Sequence, residues 1–117
     1  MQKFKITIEQ EIDVEFGDPD KAKQVYLGDN WKSAFFDFED LAEVAVHLSF
    51  AMAAESRYWN SETRRAEQFV DGFGSFVWKG HRTFELAGMQ ASACGGIVVD
   101  FGDREITDMS EIEESTL

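Results

Sequence analysis

The residues able to do chemistry in this chain are mostly carboxylates, and four of them are ordered. Glu9, Glu11, Asp13 and Glu15 take alternate positions in the stretch Phe4 to Phe16. The other alternate set is Phe4, Ile6, Ile8, Gln10, Ile12, Val14 and Phe16, apolar apart from Gln10. A period of two places the sets on opposite faces of a β-strand. One face can seal a core. The other presents carboxylates at intervals of about 6.6–6.8 Å, on the order of the spacing of successive phosphates in a nucleic-acid strand. Such a row suits a basic groove built for nucleic acid, through charge pairing and steering. Asp18 and Asp20 extend it past a turn, and Asp37, Glu39 and Asp40 add to it at the start of a helix. These residues form the candidate partner-binding set. The competing explanation is the solvated outer face of an edge strand, where charge blocks aggregation.

Other chemistry finds little support. His47, His81 and Cys94 share no ligand spacing, so a structural zinc site is not expected. Asp100 to Glu111 has the length of an EF-hand loop, but Gly102 and Arg104 stand where ligands belong and Glu105 where glycine belongs. Cys94 precedes Gly95 and Gly96, yet nothing nearby in sequence supplies a base, so it reads as a buried bystander. Gly72-Phe73-Gly74 lacks the Lys and Ser/Thr that complete a phosphate loop. The expectation is a non-enzymatic protein without catalytic, metal-binding or cofactor-binding residues.

Composition narrows the partner. The 117 residues suit one domain. With 23 acidic and 11 basic residues the net charge is −12. That disfavours direct contact with nucleic acid or an anionic membrane and favours a basic protein surface. A 44% hydrophobic content with 11 Phe is enough for a core without metal or disulfide. A single cysteine fits a reducing compartment. The N-terminus lacks a signal-peptide core, and no apolar run approaches the roughly 20 residues that span a bilayer. A cytoplasmic protein is expected.

The elements that must position the row follow in order. A strand over 3–16 carries a bulge near Gln10. Gly17-Asp18-Pro19-Asp20 reads as a turn, Lys21 to Leu27 as a short strand or loop, and Trp31 to Phe36 as a strand. Asp37 caps a helix of about 38–58. Its stripe of Phe38, Leu41, Ala45, Leu48, Met52 and Trp59 widens through Val44, Val46 and Phe50, so cover on both sides is expected. The second half reads as hairpins, one at Lys79-Gly80 and one at Gly102-Asp103, with 87–96 as a loop. An acidic tail begins at about 108. The fold class is α+β in one domain over 1–117, with one main helix packed on a mostly antiparallel β-sheet of about four to six strands.

At the level of type, the −12 charge, the row Glu9/Glu11/Asp13/Glu15 and a lone helix on a sheet resemble the small phage-encoded anti-defence proteins, the anti-CRISPR and anti-restriction inhibitors. The resemblance implies a stoichiometric inhibitor in the host cytoplasm. It would bind a basic surface of a nucleic-acid-handling complex by nucleic-acid mimicry. The second reading is an assembly protein, a homodimer for example, joined through the apolar helix and aromatic hairpins. Trp31, Tyr58, Trp59, Phe73 and Trp78 would then form the interface.

Overall fold

The computed structural model describes residues 1–54, 57–62 and 64–112. The elements run β1 (Lys3–Phe16), α1 (Pro19–Tyr26), α2 (Asp29–Ala34), α3 (Leu41–Ala54), β2 (Tyr58–Asn60), β3 (Arg65–Val70), β4 (Gly74–Gly80), β5 (Thr83–Leu86), α4 (Gly88–Cys94) and β6 (Ile97–Ile112). The six strands make one antiparallel sheet in the order β1-β6-β5-β4-β3-β2. The α+β class is as expected, but several helices rather than one main helix cover the sheet.

Directly opposed residues share a face. The pairs Phe16↔Ile97, Val14↔Val99, Ile12↔Phe101, Phe84↔Val99 and Phe76↔Leu86 therefore define the inner face. Ala22 and Tyr26 of α1, Val44, Leu48 and Met52 of α3, and Cys94 of α4 close over it. Tyr26, Trp31 and Phe73 form one ring cluster, with centroids 4.8–5.1 Å apart. His47 is half-buried, with its ring tilted against Phe36 at 4.3 Å and nearly parallel to Phe73 at 5.9 Å.

Local sequence misleads in three places. Residues 18–26 form α1, not a turn and strand. Asp18 is its N-cap, accepting from the Lys21 amide at 3.2 Å, and Pro19 stands in the first turn, where its missing N–H costs nothing. Trp31 lies in the short helix α2. Residues 88–94 form α4, because Met, Gln and Ala favour helix even without bulk for a core. Their small side chains let α4 pack beside α1.

The expected helix of 38–58 is shorter. It starts after Asp40, whose Oδ1 accepts from the Glu43 amide at 2.9 Å, while Glu43 Oε2 accepts from the Glu39 amide at 2.8 Å. Asp37, expected as the cap, instead pairs with Lys32 at 3.4 Å. Removing the reciprocal cap by Asp40→Ala should cost about 1 kcal/mol of stability, read as a lowered denaturant midpoint with unchanged slope. Trp59 belongs to β2. The outer side of α3 is bare among the described residues, with Val46 and Phe50 55% and 75% exposed, so of the covers expected on that side, a partner, a second copy or the chain's own loops, the described loops supply none.

A hairpin forms between β4 and β5, but its turn is His81-Arg82; Lys79 and Gly80, expected as the turn, are the last residues of β4. The hairpin at Gly102-Asp103 does not form. β6 continues through it to Ile112, which also takes residues 108–112 out of the expected tail; residues 113–117 lie outside the described residues. A Cβ on Gly102 would stand 2.8 Å from the Glu11 carbonyl oxygen, so glycine serves a close approach of two strands, not a turn. The register shifts opposite it, between Gln10 and Ile12, where a bulge was expected.

β5 pairs with β6 only at Val98 to Asp100. Beyond that, residues 3–10 and 104–112 pair only with each other and leave the domain as a two-stranded arm. The arm accounts for an overall extent of 56 × 35 × 21 Å and a radius of gyration of 17.8 Å, against about 13 Å for a compact chain of this length.

Candidate functional site

The outer face of the sheet holds the acidic row. Glu9, Glu11, Asp13 and Glu15 are all exposed on β1, an edge strand of the sheet. The neighbour that β1 acquires is itself acidic. β6 sets Asp100 opposite Asp13, Glu105 opposite Glu9 and Asp108 opposite Thr7. Glu85 of β5, opposite Val98, continues the same face. The row is thus a two-strand acidic surface, with Lys3 and Lys5 confined to the tip of the arm. Like charges directly opposite each other destabilise a strand pair. Two such pairs, Asp13↔Asp100 and Glu9↔Glu105, are tolerated here, and among the described residues only Asp100 has a compensating bond, from Thr83 Oγ1 at 3.3 Å.

The other expected partner-binding residues do not join this surface. Asp18 is committed to capping α1, and Asp20 is exposed in its first turn. Asp37, Glu39 and Asp40 precede α3, which lies on the opposite, helical side of the sheet. There Asp37 pairs with Lys32 and Asp40 caps α3, while Glu39 contributes its backbone amide, which donates to Glu43 Oε2. Sequence order suggested one continuous acidic stretch. The sheet separates the acidic outer face from the carboxylates around the starts of α1 and α3, of which Asp18 and Asp40 are helix caps.

A second feature escaped the sequence. Where α3 ends, the inner face is left uncovered by the described residues and forms a groove of about 760 Å³. Trp59, Ala66, Trp78, Phe84 and Phe101, brought from five strands, line it. Arg57, Arg82 and Arg104 stand around it, gathering cations in a chain of net charge −12. The Arg57 guanidinium lies over Phe84 at 4.8 Å and Phe101 at 5.3 Å, a cation–π geometry. Arg82 is neutralised by Asp103 at 2.9 Å and also donates to the Gly102 carbonyl. Arg57 and Arg104 make no ion pair among the described residues. No linear signal announces this groove, because its members lie at positions as distant as 10 and 104.

The aromatic interface set is also divided. Trp31 and Phe73 are core residues at 8% and 1% exposure, whereas Tyr58, Trp59 and Trp78 remain exposed. Cys94 is buried beside Tyr26, and its thiol donates to the Ala91 carbonyl at 3.9 Å. Burial, followed by contact with Cys94, raises the Tyr26 phenol above its usual range, so it stays neutral. Among the described residues no three of His, Cys, Asp and Glu converge as metal ligands. Among the described residues no helix is long and apolar enough to cross a membrane.

Fold and surface together define a class: an α+β domain with an acidic sheet face on one side and an aromatic, arginine-rimmed groove on the other. No family model matches the chain, and no match was found among curated proteins or solved structures.

Proposed function

We propose that this protein is a non-enzymatic inhibitor of the anti-CRISPR type. In this reading the outer face of β1 and β6 binds a basic, nucleic-acid-handling surface of a prokaryotic defence complex and occupies it in place of nucleic acid. The observation that carries the reading is the doubling of the acidic row by β6, with carboxylates facing carboxylates at Asp13↔Asp100 and Glu9↔Glu105. An edge strand needs only a few charges to resist aggregation. A second row opposite the first adds repulsion that a basic partner would relieve. The proposed site is Glu9, Glu11, Asp13 and Glu15 with Asp100, Glu105 and Asp108 of β6.

Capture from a prokaryotic lysate tests it. A basic nucleic-acid-handling complex should be recovered at low salt and lost as the salt approaches about 1 M, where the screening length falls to about 3 Å. Recovery of no such complex at low salt, or of one indifferent to salt, would sink the reading.

A further inference from the structure

The arm presents a problem independent of the acidic face. On its inner side Phe4, Ile6, Ile8, Ile106 and Met109 are 53–71% exposed. The register sets Ile6 opposite Met109 and Ile8 opposite Ile106, so these side chains form one continuous apolar strip. A two-stranded ribbon is marginal in water by itself and needs something packed on its apolar face. Nothing in the described chain covers it.

We propose that a second copy of this chain covers it, with the two arms packed inner face to inner face, antiparallel, about a two-fold axis crossing near Ile6 and Ile8. The charges at the two ends of the strip fit this arrangement. At the base Arg104 stands opposite Gln10, and at the tip Glu111 stands opposite Phe4. Both are exposed on the inner face, and neither has an ion-pair partner among the described residues. Antiparallel packing brings the tip of one arm over the base of the other. Glu111 then meets Arg104 of the second copy, and the symmetry makes that pair twice, as an isologous interface requires. The tip also approaches the aromatic groove, where Arg57 is unpaired.

The area is sufficient. At these exposures the five side chains offer roughly 550 Å² per arm, taking ordinary areas for large apolar residues. Two arms together then pass the roughly 1,000 Å² that separates a specific interface from a chance contact. Another bare apolar patch, Val46 and Phe50 on α3, fits a second copy less well. Asp40 and Glu43 border it, and a two-fold contact there would set acids against the same acids.

Sedimentation equilibrium of the whole chain over roughly 1–100 µM tests this. A concentration-dependent dimer is expected. Ile6→Glu with Ile106→Glu should raise its dissociation constant by at least tenfold, with the far-UV dichroism retained. Arg104→Glu should weaken it, and adding Glu111→Arg to that variant should restore it; both positions are exposed, so this pair holds the test even if the first variant misfolds. A monomer throughout the range would overturn the proposal. So would a dimer that survives the arm substitutions or is lost instead with Phe50→Glu.

Discussion

Converting Glu11, Asp13 and Glu15 to lysine together is expected to abolish partner capture and leave the domain folded. Each reversal changes the charge by two units, so three of them take the net charge from −12 to −6. The side chains are exposed and point away from the core, so no burial is lost. Asp13→Lys would place a cation opposite Asp100, turning a repelling cross-strand pair into an attracting one worth a few tenths of a kcal/mol. The melting temperature should therefore hold or rise slightly. For a basic partner each substitution removes an attraction and adds a repulsion. The combined loss should be on the order of 100-fold or more, mainly through slower association. Titration calorimetry against the captured complex, alongside thermal melts, separates the two effects. Unchanged affinity in the folded variant would discard the acidic-face mechanism.

The largest expected loss of stability comes from one missing hydrogen. Gly95 ends α4 with φ of 83°, in the left-handed region. An added Cβ would overlap the Asp18 Cβ and lie 3.1 Å from the Asp18 backbone. Asp18 is the cap of α1, so it cannot move without releasing the Lys21 amide. The adjoining chain is pinned as well, since the Gly17 amide donates to the Gly96 carbonyl at 3.0 Å. Gly95→Ala thus combines left-handed strain of about 1 kcal/mol with displacement of a cap worth about 1 kcal/mol and repacking of α1 against α4. The total should be about 3 kcal/mol, read as a lower denaturant midpoint. Loss under 1 kcal/mol would show that α1 and α4 can separate freely at this crossing.

How far the chain could be read from its letters depended on the range of the interactions. The alternation of 3–16, the bulge at Gln10 and the β4–β5 hairpin are recorded within a few residues. Each was legible. The start of α1 was not legible, because Asp18 and Pro19 suit a helix start and a turn equally well. What separates the outcomes is Ala22 and Tyr26, four residues apart and buried together under the sheet. Gly102 shows the same limit. A glycine before an aspartate suits a hairpin, and only the opposing Glu11 backbone reveals that glycine is needed for closeness.

By itself the sequence determined the α+β class, a strand with carboxylates on one side, and a net charge of −12. It did so because side-chain alternation and net charge are local or additive properties. Only the tertiary structure decided that β6 lies along the whole of β1, from Phe16↔Ile97 to Lys3↔Ile112. That pairing doubles the acidic row, sends an apolar arm beyond the core, and separates Asp37, Glu39 and Asp40 from the face they seemed to extend. Backbone hydrogen bonds between strands do not depend on which side chains they carry. The choice of partner strand is therefore set by the packing of the whole core, which no short stretch records.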